Sequence, residues 1–181
     1  MILTVSRTRL AAVVAATLAI QPAVAQAQQA CITEDELSAM AIYSMPSLVQ
    51  SVRLQCGPAL GSSGFLARRG ESFAARYAGL QNAVWPRAKS GLLKYGSRKA
   101  DSASQNIAMF ANLPDNAVRP LIDALIVQEA SAKIDSRQCG RIERMMEAVA
   151  PIDPEVAGTL VGVAAGLVAP ENQQICTARR S

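Results

Sequence analysis

The sequence predicts an all-α protein: a compact array of about six to eight short helices, arranged as Pro-jointed helical hairpins and stapled by two disulfides. Three observations predict it. Apolar residues recur at three- and four-residue spacing between prolines, and no run alternates with the period of two that a half-buried strand needs. Half of the 181 residues are apolar but only seven are aromatic, so the core rests on Ala, Leu, Val, Ile and Met, whose small side chains favour close helix packing. Four cysteines occur in a chain with no histidine.

Taken in order, Thr33-Glu34-Asp35-Glu36 reads as a capping box, with acids in the electropositive first turn. Leu37, Met40, Ala41, Ser44 and Leu48 follow it at helical spacing. Pro46 lacks an amide hydrogen and disfavours the helical region for Met45, so a break and a second helix over 48–54 are expected. Residues 57–70 hold four glycines, two serines and a proline and read as a loop with at most a turn near Phe65 and Leu66.

A helix over 71–84 places Phe73, Tyr77, Leu80 and Val84 on one face, and Pro86 should end it before a short continuation over 88–95. A helix over 101–113 carries Ile107 and Phe110 inward. Pro120 falls in the first turn of a strong helix reaching Ile134, and Ser136 caps another reaching Val149. Asp153 caps the last helix, with Pro154 at its first position, over 155–168. That helix is apolar on every side, and Gly158, Gly162 and Gly166 form one stripe that lets a neighbouring backbone come close. It reads as a central buried helix.

Residues 1–25 have the order of a secretory signal peptide. Arg7 and Arg9 come first, then an apolar run over 10–20, then Pro22 and the small residues Ala23-Val24-Ala25. The run is shorter than the roughly 20 residues of a membrane span. Gln28-Gln29-Ala30 before Cys31 is not a lipidation sequence, so the expected mature chain is one all-α domain over 26–181. With Arg7 and Arg9 removed, 16 basic residues face 14 acidic ones, a net of +2. The expected location is a bacterial periplasm or the medium, where cysteines oxidise.

Cys31, Cys56, Cys139 and Cys176 therefore read as two disulfides. Four cysteines allow three pairings. A helical hairpin folded at Pro46 would bring Cys31 to Cys56, and one folded at 151–154 would bring Cys139 to Cys176; this pairing is the economical one. No Cys-x-x-Cys and no paired-ligand spacing is present, so neither a redox pair, a metal site nor a cofactor is expected.

Without histidine the Ser-His-Asp and Cys-His arrangements cannot be built, and the chain is expected not to be an enzyme. Its main functional handle is charge. Over 53–99 nine basic residues stand against Glu71 alone, whereas 100–178 holds ten acids and five bases. Arg68, Arg69, Arg76, Arg87, Lys89, Lys94, Arg98 and Lys99, with Trp85 and Tyr95 among them, suit an anionic envelope component such as a lipid headgroup, lipopolysaccharide or a cell-wall polymer. Nucleic acid is the least expected partner in that compartment. In the competing reading these aromatics are core and the cations pair with the acidic last third of the same chain.

Two further function classes remain at this stage. A protein-partner or self-assembly module using the helix of Gly158, Gly162 and Gly166 predicts an exposed apolar stripe around Leu160 and Leu167. A carboxylate-based cell-wall hydrolase predicts a cleft around Glu71, Glu129 or Glu143.

Overall fold

In a computed structural model the all-α expectation holds. The structure describes residues 31–96, 110, 113–168 and 175–176. Six α-helices run through them: α1 (Glu34–Cys56), α2 (Phe65–Ala78), α3 (Gln81–Gly96), α4 (Asp115–Lys133), α5 (Cys139–Val149) and α6 (Pro154–Val168). A 3-10 turn over Ser136–Gln138 leads into α5. The expected signal peptide over 1–25 and most of the expected helix over 101–113 lie outside the described residues, as do Arg98 and Lys99.

The capping box forms as read. The Thr33 hydroxyl accepts from the Glu36 amide at 3.1 Å, and Glu36 Oε2 accepts from the Thr33 amide at 2.9 Å. From there α1 runs unbroken through Pro46 for 23 residues, about 34 Å, and the expected hairpin does not exist. The reason is tertiary. Ile42, Tyr43, Ser47, Val49 and Val52, on both sides of the proline, are buried in contact with the other helices, and folding the chain at Pro46 would expose them.

Pro86 likewise sits inside α3 rather than ending it, and Pro120, expected in the first turn of its helix, lies in the second because α4 already starts at Asp115. Both are exposed, and so are Asn82 and Asn116, the residues four places back, whose carbonyls receive no amide hydrogen from a proline. The break between α2 and α3 comes at Gly79-Leu80, and α2 begins at Phe65 inside the expected loop.

α1 is the hub, packed by α2, α3, α4 and α6. The core beneath it joins Tyr43, Val49, Val52, Phe65, Phe73, Tyr77, Trp85, Val118 and Ile122. Tyr43 and Trp85 lie with ring centroids 4.9 Å apart, and Phe73 meets Phe65 and Tyr77 edge-on at 5.8 and 5.2 Å.

The disulfides join Cys31 to Cys176 and Cys56 to Cys139, each with Cα atoms 5.4 Å apart. The expected pairing is overturned because its premise, a fold at Pro46, fails: the straight α1 carries Cys31 and Cys56 to opposite ends. Each end of α1 is instead tied to one end of the segment formed by α5 and α6. Beside the first bond, Ile32 and Thr33 pair in parallel with Ile175 and Cys176, a two-residue ladder too short to show alternation in the sequence. Two disulfides fit an oxidising compartment. Among the described residues no single helix is long and apolar enough to cross a membrane.

Candidate functional site

Among the described residues α6 carries the largest group of exposed apolar side chains. Its start is fixed locally: Asp153 Oδ1 accepts from the Glu155 amide at 2.9 Å, and Pro154 occupies the first position. Beyond Glu155 the helix has no ionisable residue. Its glycine stripe lies down on α1. A methyl group at Gly158 would stand 2.6 Å from Ile42 Cγ1, one at Gly162 would strike the backbone carbonyl of Glu34, and one at Gly166 would stand 3.0 Å from the Glu34 carboxylate. Rising residue numbers on α6 meet falling ones on α1, so the two helices run antiparallel.

The glycines are thus used up in holding α6 in place, and the opposite face is bare. Val156, Leu160, Val163 and Leu167 are 52, 57, 41 and 81 % exposed. Their spacing of four, three and four keeps them on one stripe. Val161 and Val168 widen it. The helix is therefore not central, as its all-round apolarity implied, but a ledge. Gly166 is already level with Glu34, the first residue of α1, so Leu167 and Val168 overhang it. An apolar face of this extent, on the order of 500 Å², is at the upper end of the largest patch a single chain usually exposes.

The basic segment is spread over several structural duties. Arg69 pairs with Glu147 at 2.9 Å and lies over the Phe65 ring. Arg76 donates to the carbonyls of Ala150 and Ile152 at 2.5 and 2.9 Å, closing the end of α5. Lys89 pairs with Asp115 at 2.8 Å and holds that carboxyl below its usual range. Lys94 pairs with Glu36 at 2.7 Å. Trp85, 2 % exposed, is core. Tyr95 is exposed near the end of α3. Arg68 and Arg87 are exposed and form no ion pair among the described residues.

The three glutamates have structural surroundings. Glu143 Oε1 accepts from the Leu66 amide at 3.0 Å and caps α2, whose N-cap Gly64 has no side chain to do so. Glu129 meets Lys133 at 3.6 Å on the surface of α4. Glu71 is exposed on the rim of a shallow groove of about 370 Å³, opposite Pro46, Gln50 and Arg53. A second groove, of about 460 Å³, runs between Phe65, Arg69, Phe73, Arg76 and Glu147.

Sequence reasoning missed one polar cluster. Asp123 on α4 is approached by the Ser47 hydroxyl at 3.4 Å and by the Tyr43 hydroxyl. Burial raises both the Asp123 carboxyl and the Tyr43 phenol, and the hydrogen bonds only partly offset this for Asp123. No sequence signal marks this cluster, because Asp123 lies 76 residues from Ser47 and further still from Tyr43. It borders neither groove. Among the described residues no group of three His, Cys, Asp or Glu is placed to hold a metal ion.

No protein-family model, curated protein or solved structure matches this chain.

Proposed function

We propose that this chain is a non-catalytic helical protein, exported to the bacterial periplasm or the medium, that works by protein–protein association through the outward face of α6. The observation that carries this reading is the stripe of Val156, Leu160, Val163 and Leu167 lying bare on a helix whose other face is locked to α1. Keeping these side chains in water forgoes about 1.5 kcal/mol or more for each that could be covered. Two features make the ledge a rigid docking surface. The glycine contacts set its distance from α1, and the bonds at Cys139 and Cys176 fasten the chain on both sides of the α5–α6 segment. A surface already in its bound shape loses little entropy on association.

The test is a photo-crosslinking amino acid at Leu167, with the same group at Arg68 as control, in cells that express the full chain. Protein adducts formed from Leu167 and not from Arg68 are the expected result. Lipid adducts alone, or none, overturn it.

A second reading retains an anionic envelope component as partner, because Arg68 and Arg87 stay exposed without an ion pair among the described residues. It predicts salt-sensitive co-sedimentation with anionic vesicles and none with neutral ones. Its weakness is that Arg69, Arg76, Lys89 and Lys94 already serve the fold.

A further inference from the structure

We infer that the occupant of the α6 ledge is a second copy of the chain, its α6 lying antiparallel to the first about a two-fold axis that passes between Leu160 and Val163. This rests on the docking reading above and names its partner. The stripe contains its own complement. With the axis at that point, Leu160 faces Val163 of the second copy and Val156 faces Leu167 of the second copy. Each of the four layers then holds one leucine and one valine, so all layers have equal volume. The four-three-four spacing is that of a helix-pairing seam, and a two-fold interface demands a face that matches itself.

Charge and area agree with this occupant. From 156 to 168 α6 has no ionisable side chain, so two copies meet without like-charge repulsion. A partner recognised by charge would find nothing to pair with there. Antiparallel α6 helices also set opposite dipole ends side by side. An apolar area on the order of 500 Å² per copy, with Thr159, Val161 and Ala164 at the rim, approaches the roughly 800 Å² per partner of a standard interface. A membrane surface fits less well, since interfacial helices are rich in Lys and Arg and α6 has neither.

The experiment is sedimentation velocity on the oxidised mature chain, residues 26–181, from about 1 to 100 μM, a range that spans micromolar dissociation constants. A concentration-dependent monomer–dimer equilibrium is expected. Leu160→Glu and Leu167→Glu should each weaken it at least about 100-fold while the circular dichroism spectrum stays put, as does the melting temperature taken at a dilution where both chains are monomeric, because both positions are exposed. Val156→Lys alone should also give monomer. Val156→Lys combined with Leu167→Glu should restore the dimer, because those two positions face each other across the axis. A dimer indifferent to the single substitutions, or a double variant that stays monomeric, overturns the antiparallel pairing. A chain monomeric throughout also overturns it; the docking reading then survives only if Leu167 crosslinks to a different protein, and falls if it crosslinks to none.

Discussion

The ammonium of Lys94 sits astride the carboxylate of Glu36, 2.7 Å from one oxygen and 2.9 Å from the other, and so joins the last turn of α3 to the first turn of α1. Ser90 donates to the same carboxylate at 2.6 Å, and the Thr33 amide at 2.9 Å. One glutamate thus closes a capping box and anchors a second helix.

Removing that charge should cost stability in a pH-dependent way. Burial alone would raise the Glu36 carboxyl, but Lys94, Ser90 and the Thr33 amide together leave it below its ordinary value of 4.5. A lowered carboxyl contributes stability that is fully present above about pH 4.5 and is lost as the pH falls through the folded-state value. Glu36→Gln should therefore lower the unfolding free energy by roughly 3 kcal/mol at pH 7, the usual cost of orphaning a largely buried partner. The deficit should shrink in acid below pH 4.5. Urea melts at pH 7 and pH 3 measure it, and an equal deficit at both would show that the ion pair is not its source.

Asp123 should behave in the opposite sense. Burial holds its carboxyl above the ordinary 3.8, despite the hydrogen bonds from Tyr43 and Ser47. A raised carboxyl favours the fold most below about pH 3.8, and that contribution is lost as the pH rises through the folded-state value. Asp123→Asn keeps an acceptor for Tyr43 and Ser47 but carries no charge to desolvate. It should raise the melting temperature at pH 7 and change it little at pH 3. A loss at pH 7 would mean that the attraction of Arg119, one turn before Asp123 on α4, outweighs desolvation.

Much of the architecture was legible because it is decided locally. The Thr33–Glu36 box and the Asp153-Pro154 start need only neighbours within one turn, and both form as read. Pro46 and Pro86 were misread for the converse reason. Whether Pro46 ends a helix depends on what lies against Ile42, Tyr43 and Val49, and those contacts come from distant segments. The disulfide pairing inherited that error. At the candidate site, the sequence shows the glycine stripe and the apolar residues opposite it. Which of the two faces meets α1 is decided only by the close contacts of Gly158 and Gly162.

The pairing of Cys56 with Cys139 closes 83 residues of chain. On the loop-entropy model a bond of that span is worth about 4.5 kcal/mol. Replacing both cysteines by alanine should shift the urea midpoint accordingly, whereas the expected hairpin bonds would each have closed a far shorter loop. Proteolytic mapping without reduction checks the connectivity directly. A fragment linking Cys31 to Cys56 would contradict the fold of α1 itself.

The glycines of α6 offer the sharpest test of how the ledge is held. At Gly162 an added methyl group meets the backbone carbonyl of Glu34, which cannot swing aside, and at Gly158 it meets two carbons of Ile42. At Gly140, in the first turn of α5, the nearest such neighbour is Arg144 Nη1 at 3.9 Å. Alanine is the better helix former by up to about 1 kcal/mol, so Gly140→Ala should be neutral or stabilising. Gly162→Ala gains the same propensity but must force α6 away from α1, and overpacking of that kind costs roughly 1–3 kcal/mol. Gly158→Ala should fall between them, because the Ile42 side chain can change rotamer where a backbone carbonyl cannot. The order of melting temperatures, Gly140→Ala above Gly158→Ala above Gly162→Ala, separates close packing from helix propensity, which predicts the same gain at all three. Because α6 must shift to admit the new methyl group, Gly162→Ala should also disturb the stripe of Leu160 and Leu167 on its far side, although it touches neither residue.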